Sequence, residues 1–354
     1  MLGSEQPAAQ NVQKEYNFMQ HLSLRGSHRE AGFQWGTYLS HQRKFLPDII
    51  PFPISKARLA FATACLPTYR RYFPTILEEI EGIALAQNCD PELLQAVLFS
   101  MYALPPELHC SCFAISQGGQ VLLGRNSDFY TALEEENKAV EYRLSGSTPA
   151  VLGHTTAFAE LEDGVNAHGL AAGLTAVCPT VPRPGLNAGL LLRLLLETCR
   201  SVEEAVTLIR GLPLASAQTL TLADASGRVA LVECCPERTE VCFPSPERPF
   251  VCAVNEFHLT AMQSFRRPVP DNWQSEERYQ TMDHALDHSW KDMDANRARE
   301  LLAGRQGFLC QYDRGSGHDT VWSVVYDLSG GTLWRAEGNP SRCPFRPLPL
   351  PHAE

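Results

Sequence analysis

The chain has 354 residues, of which 44% are hydrophobic and 20% charged, so it can bury a sizeable core and is too apolar to be disordered. A formal charge of −10 with no Lys/Arg-rich block argues against nucleic acid or an anionic membrane as a main partner. No run approaches the roughly 18 consecutive apolar residues of a membrane span.

Along the chain, residues 55–104 carry apolar side chains at 3–4 spacing in SKARLAFATACLPTYRRYF and PTILEEIEGIALAQN, which predicts helices. Asp90-Pro91-Glu92 reads as a cap with Pro at the first position of a further helix, and Leu104-Pro105-Pro106 ends it. At residue 110 the pattern changes to short strands and turns. CFAISQGGQVLLGR holds two apolar runs around Gly118-Gly119, a hairpin signal. Further strands are predicted in AAGLTAV, TLTLADASGRVALVE, RPFVCAV, TVWSVVYD and GTLWRAE, with hairpins at Ala225-Ser226-Gly227 and Ser329-Gly330-Gly331. Helices are predicted over residues 187–199 and from Ser201, where Ser201 and Glu204 have capping-box spacing. A helical first third followed by an antiparallel, hairpin-rich remainder with inserted helices is an α+β arrangement.

Twelve cysteines are scattered, mostly inside apolar runs such as RLAFATACL (Cys65) and FVCAV (Cys252), and read as buried free thiols. The N-terminal MLGSEQPAAQNVQKEYNF has no signal-peptide run, so a reducing cytoplasm is the expected location.

HCSCFAISQGGQVLLGRNSDFY is the most informative stretch. Its hairpin sets the Cys110 thiol beside Arg125, Asn126 and Asp128 at the end of the partner strand. An arginine there favours thiolate, and an aspartate can orient an amine. That combination suits a nucleophile whose base is its own α-amino group, which titrates near about 7.7–8.0. Such a base exists only if the bond between His109 and Cys110 is cut. Other readings of the same residues are a buried structural thiol at Cys110, a nucleophile at Cys112, or an ordinary Arg125–Asp128 ion pair. A zinc site from Cys110, Cys112, Cys234 and Cys235 lacks the usual ligand spacing. His258 and His318 are candidates for a papain-like Cys–His pair, and Asn166 reads as a turn residue before Gly169.

Cys-Ser-Cys-Phe-Ala followed by Gly-Arg-Asn-x-Asp resembles the acyl-coenzyme A:6-aminopenicillanate acyltransferase family. That family is related to the choloylglycine hydrolases and penicillin V acylases, all N-terminal-nucleophile (Ntn) cysteine enzymes. Other motifs agree in order: SLRGSHREAGFQWGTYL with the opening of the acyltransferase propeptide, DGVNAHGLAAGLT (163–175) with a D-G-x-N-x-x-G-L turn, and HDTVWSVVYD and LWRAEGNP with the closing strands. FVCAVNEFH resembles the segment that gives an oxyanion-hole Asn, which places that role on Asn255, and SEERY places a second family arginine on Arg278.

The resemblance implies a four-layer αββα Ntn sandwich, with residues 1–109 as a helical propeptide or small subunit and 110–354 as the catalytic domain. It implies a zymogen that cuts itself after His109, then hydrolyses or transfers the acyl group of a linear amide through a Cys110 thioester. Cys110, Arg125, Asp128 and Asn255 would be catalytic, and Thr175, Arg278 and Asn126 would bind substrate or support the site. The alternative is an inactive Ntn-fold binding protein that stays uncut. The partners implied are a small acyl amide and the chain's own cleaved fragment, with no metal or cofactor and a coenzyme A thioester as an optional co-substrate. Three departures stand out. His109 replaces the Gly that precedes the nucleophile in the fungal acyltransferase pattern, and the hairpin is one residue short. Thr175 stands where bile-salt hydrolases have an oxyanion-hole Asn, which points to a backbone amide as that donor.

Overall fold

The computed structural model describes residues 19–50, 52–104, 109–269 and 272–352. The polar N-terminus and Pro105-Pro106 lie outside the described residues.

The chain opens with β1 (Gln20–Gly26), followed by helices α1 (His28–His41), α2 (Leu46–Ile49), α3 (Lys56–Tyr72), α4 (Pro74–Gln87) and α5 (Pro91–Ser100). Ser27 starts α1 with a reciprocal cap: its hydroxyl accepts from the Glu30 N–H, and the Glu30 carboxylate accepts from the Ser27 N–H. Such a cap contributes about 1 kcal/mol. Two helices then meet backbone to backbone. A Cβ on Gly32 of α1 would lie 2.0 Å from the Glu79 carbonyl oxygen of α4, and one on Gly82 of α4 would lie 2.2 Å from that of Arg29. The glycines of REAGFQWG thus let α1 and α4 touch. Asn88, left-handed at φ 49°, ends α4, and Asp90 caps α5 through the Glu92 N–H, as predicted.

There follow β2 (His109–Gln117), β3 (Gln120–Tyr130), β4 (Lys138–Leu144), β5 (Val151–Thr155), β6 (Asp163–Asn166) and β7 (Leu170–Val177), then α6 (Ala188–Thr198) and α7 (Val202–Arg210). The chain continues through β8 (Ala217–Asp224), β9 (Val229–Cys234), β10 (Thr239–Cys242), β11 (Phe250–Ala253), α8 (Ser275–Ser289), α9 (Ala295–Leu302), β12 (His318–Asp327), β13 (Thr332–Ala336) and β14 (Arg346–Pro349). One sheet has the order β1-β4-β5-β6-β7-β8-β9-β10, the other β11-β2-β3-β12-β13-β14. The second sheet lays β2 and β3 across β7 and β8 of the first. Helices α6 and α7 cover the outer face of the first sheet, and α8 and α9 that of the second. This is the αββα order that the resemblance implied.

Each layer has its own apolar seam. Cys112, Ala114 and Leu123 pack between the sheets with Leu174 and Leu220. Phe113, Ile115 and Leu122 face the other way, toward Met282, Leu286 and Leu301. Period-2 alternation along β2 therefore feeds both cores. The N-terminal region is not wholly helical. β1 pairs in parallel with β4, Leu22 opposite Val140, and so adds an edge strand to the larger sheet. Parallel pairing across more than a hundred residues leaves no local signal, unlike the hairpins at Gly118-Gly119 and Gly227.

Candidate active site

Gly118 and Gly119 turn the β2–β3 hairpin with φ of 56° and 84°, conformations that cost glycine little. The turn fixes the register: His109 lies opposite Asp128, Cys110 opposite Ser127 and Cys112 opposite Arg125. Cys110 and Cys112 point between the sheets, whereas His109 and Ser111 point toward the start of α8.

Arg125 reaches back diagonally to the thiol. Its Nη2 donates to Cys110 Sγ at 2.8 Å and to Glu162 Oε2 at 3.2 Å, its Nη1 to Asp163 Oδ2 at 2.9 Å, and its Nε to the Leu174 carbonyl at 2.9 Å. Behind it, Asp163 accepts from Trp322 Nε1 at 2.9 Å and Tyr326 OH at 2.6 Å, and lies 2.6 Å from His154 Nδ1. Ser127 donates to the same Glu162 oxygen at 3.1 Å. Every one of these groups is buried. The guanidinium is therefore aimed at the sulfur by two carboxylates and a carbonyl.

Burial pushes the Cys110 thiol up to about 12. Arg125 pulls it down, and Glu162 and Asp128 push it further up. Arg125 thus favours thiolate, as expected, but in the uncut chain desolvation and two carboxylates outweigh one cation, and the thiol stays protonated. Burial also opposes the charge on Arg125, yet Cys110, Asp163 and Glu162 hold its pKa above the ordinary value. A base must take the thiol proton before this sulfur attacks anything.

On the α8 side the backbone of Cys110 is held at both ends. Its N–H donates to Asn255 Oδ1 at 2.9 Å, and its carbonyl accepts from Arg278 Nη1 at 2.6 Å. Arg278 also donates to Ser111 Oγ at 2.9 Å, to Asn255 Oδ1 at 3.0 Å and to the Trp273 carbonyl at 2.9 Å. It is fully buried. Asn255 Nδ2 donates to the Ala176 carbonyl at 2.9 Å. Asp128 sits 3.6 Å from Arg278 and accepts from Thr320 Oγ1 at 2.6 Å and Tyr312 OH at 3.1 Å. Burial raises its pKa to about 6 against the pull of Arg278 and those two hydroxyls.

Cys110, Arg125, Asp128, Asn255 and Arg278 thus meet within one site. Thr175 is one step removed: its hydroxyl donates to the Val254 carbonyl at 2.6 Å and contacts Thr219 Oγ1 at 2.6 Å, tying down the strand end that carries Asn255. Asn126 faces away from the thiol, where its Nδ2 donates to the Leu302 carbonyl of α9 at 3.0 Å. Cys112 is walled in, since a Cβ on Gly173 would lie 2.6 Å from its sulfur. His258 stacks on Tyr279 at 3.6 Å and His318 on Trp273 at 4.2 Å, so both rings are engaged elsewhere than on the Cys110 sulfur. Asn166 is the expected turn residue, accepting from the His168 and Leu170 N–H groups. No metal-holding group of His, Cys, Asp or Glu occurs among the described residues.

Glu162, Asp163, His154, Tyr326 and Trp322 are not legible as site residues from the sequence. Asp163 stands out there only as the start of the DGVN turn, and nothing in the spacing ties it to Arg125, 38 positions away.

The family model for acyl-coenzyme A:6-aminopenicillanic acid acyl-transferase matches residues 115–342. Among curated proteins no sequence matches. The chain is similar in fold to penicillin V acylase from Agrobacterium tumefaciens, with 17% identity, TM-score 0.45, and coverage of 64% of this chain and 82% of that one. For the Caenorhabditis elegans ortholog of N-acylethanolamine-hydrolyzing acid amidase the values are 17%, 0.47, 68% and 100%. For a mutant of the conjugated bile acid hydrolase from Clostridium perfringens they are 15%, 0.44, 67% and 92%. With a family model spanning well over half its length, this chain belongs to the acyl-coenzyme A:6-aminopenicillanic acid acyl-transferase family.

Proposed function

We propose that this protein cuts itself between His109 and Cys110, then hydrolyses or transfers the acyl group of a linear amide through a Cys110 thioester. The observation that carries this reading is the double grip on one residue: Arg125 on the Cys110 sulfur at 2.8 Å and Asn255 on its backbone nitrogen at 2.9 Å. In self-cleavage the sulfur attacks the His109 carbonyl carbon, the C–N bond to Cys110 breaks, and the thiol proton passes to the departing nitrogen. Water then splits the thioester, leaving His109 with a carboxylate and Cys110 with a free amine and thiol. In turnover that amine takes the thiol proton, and the thiolate attacks the substrate carbonyl. The amine product leaves with a proton, and water or an acceptor amine or thiol takes the acyl group.

Arg125 steadies the thiolate, and Asp128 holds the ammonium. Asn255 donates to the oxyanion once its amide turns from the Ala176 carbonyl, beside a backbone amide near Thr175. Arg278 keeps the Cys110 carbonyl fixed, and Asn126 supports the hairpin from the α9 side. The chemistry asks for no metal or cofactor, and coenzyme A thioester enters only as a co-substrate of transfer. Residues 1–109 remain as a small subunit on the 110–354 catalytic part, because α1 and α3–α5 bury apolar faces against it. All twelve cysteines are free, which fits a cytoplasmic protein, and among the described residues no helix is long and apolar enough to cross a membrane.

Burial of Cys110 at 2% exposure favours one rival, an uncut binding protein. Intact mass separates the two. Self-cleavage gives fragments of 109 and the remaining 245 of the 354 residues, the larger beginning Cys-Ser-Cys-Phe. A stable full-length chain with amide hydrolase activity overturns the proposal.

A further inference from the structure

His109, the residue that cleavage would release, is held in an unusual way. Its imidazole is buried, and neither ring nitrogen has a hydrogen-bond partner among the described residues. What holds it is Trp273: the two rings stack at 4.3 Å and 15°. His318 also stacks on Trp273, at 4.2 Å and 26°. Tyr130 and Tyr312 meet the indole edge-on at 5.6 Å and 5.8 Å.

Trp273 is placed there at some cost. Trp273 and Gln274 both have left-handed backbones, with φ of 49° and 56°, a conformation that strains residues with side chains by about 1–2 kcal/mol each. The Trp273 carbonyl accepts from Arg278 Nε, which locks the strained turn to the arginine that grips Cys110. The pocket asks for no hydrogen bond and disfavours a cation. Burial, then Arg278 and His318, push the His109 pKa down to about 3, so the ring it holds is neutral.

We propose that the indole face covered by His109 in the uncut chain becomes, once the chain is cut, the recognition surface for a neutral planar ring in the substrate's acyl group. This rests on the reading that cleavage occurs before Cys110. In self-cleavage the acyl group handed to the sulfur is that of His109, whose ring stands two carbons from the reacting carbonyl. A substrate acyl group with a ring at that distance, a 3-arylpropanoyl group, reaches Trp273 while its carbonyl reaches the sulfur. Tyr130, which meets the indole edge-on, also lines a mostly apolar cavity of about 260 Å³ with Trp35, Phe52, Met101, Phe129 and Phe158. Trp273 is thus a specificity-determining residue, and His109 is a built-in mimic of the acyl group.

The test uses the cut wild-type protein and the 4-nitroanilides of 3-phenylpropanoic and hexanoic acids. The kcat/KM ratio of aryl to alkyl substrate should exceed one and should fall about 3- to 10-fold in Trp273→Leu, mainly through KM, while Trp273→Phe retains most of it. A ratio that Trp273→Leu leaves unchanged overturns the proposal. If the cut protein turns over neither anilide, calorimetric binding of 3-phenylpropanoate against hexanoate decides. A preference for the aryl acid that Trp273→Leu abolishes supports the slot, and equal binding overturns it. A chain whose mass stays that of the full length overturns both the slot and the cleavage reading, whereas a cut chain blind to the ring overturns the slot alone. Should Trp273→Leu fail to fold, His318→Ala replaces it, with a smaller fall in the ratio expected and no fall overturning the proposal.

Discussion

Two buried arginines in this protein are built to one plan and put to different uses. Arg125 lies between the sheets, held by Glu162 and Asp163 and 5.5 Å from the Trp322 ring. Arg193 on α6 is held by Glu79 and Glu197 and lies 3.3 Å from the Tyr142 ring. Both are fully buried, and each gives a further donor to a backbone carbonyl, Leu174 or Ala159. The difference is what remains. Arg125 has a thiol on Nη2, whereas Arg193 spends its donors on carboxylates and a carbonyl, and Glu197 takes in His28 of α1 at 2.9 Å. Glu79 comes from α4 and His28 from α1, so the Arg193 cluster ties the N-terminal helices to α6. A satisfied arginine cluster is thus a structural part by default, and a thiol among its partners is what makes the Arg125 cluster the candidate site.

The largest effect is expected from making the first cluster resemble the second. Cys110→Ala should abolish cleavage and turnover while leaving the fold, and intact mass with an amide assay reads both. A cut or active Cys110→Ala chain would show the comparison to be misdrawn. Next comes Arg193→Met, compared with Arg125→Met in the uncut Cys110→Ala background. Each leaves two carboxylates buried without their cation, so each should lose roughly 3–5 kcal/mol in denaturant unfolding. In the chain with Cys110 intact, Arg193→Met protein that still folds should cut itself. If Arg193→Met blocks cleavage without destabilising, the second cluster is not merely structural.

Asn255→Ala should slow turnover by roughly 10²–10³, or ~2.7–4 kcal/mol, with the fold intact by circular dichroism. Unchanged kcat/KM would move the oxyanion role to the strand near Thr175.

A subtler consequence concerns Asp128. Its folded pKa of about 6 lies above the ordinary 3.8, so the unfolded chain gives up this proton first. Its contribution to stability is complete below pH 3.8 and is lost as pH rises to about 6, by roughly 2–4 kcal/mol in all. His109, whose pKa burial pushes down to about 3, contributes the opposite slope over the same range. Urea unfolding between pH 4 and 7 should therefore show the fall as a difference: Cys110→Ala loses stability, as pH rises, relative to the same chain carrying Asp128→Asn. Equal slopes in the two chains would mean that Arg278 keeps the carboxylate ionised throughout.

The sequence made one half of this comparison visible and hid the other. Cys110, Arg125 and Asp128 sit on one hairpin, where alternation and a Gly-Gly turn convert spacing into proximity. Asn255 and Arg278 could be placed only through resemblance, because they approach Cys110 from other elements. Glu162, Asp163 and His154 come from β5, β6 and the loop between them, and their link to Arg125 arises from sheet stacking, which no local period encodes. The Arg193 cluster spans 169 positions, from His28 to Glu197. Trp273 was invisible for a different reason: a left-handed residue before a helix has no propensity signal unless it is glycine or asparagine.

The smallest effect is expected at Cys112, and it tests the register on which the comparison depends. Cys112 shares a strand face with Cys110 and stands opposite Arg125, so by spacing alone it is an equal candidate. Its surroundings differ. Its sulfur fills the space left by Gly173, and burial pushes its pKa up to about 12 against the pull of Thr221 and Arg125. No amide substrate can approach a sulfur packed against a facing strand. Cys112→Ala should therefore cost about 1 kcal/mol for the lost sulfur, the low end of core truncations, and leave cleavage and turnover within about twofold. Thermal unfolding in the Cys110→Ala background measures the first, and a cleavage time course with Cys110 intact measures the second. If Cys112→Ala stops cleavage as completely as Cys110→Ala does, the nucleophile lies two residues further on and Arg125 serves that thiol.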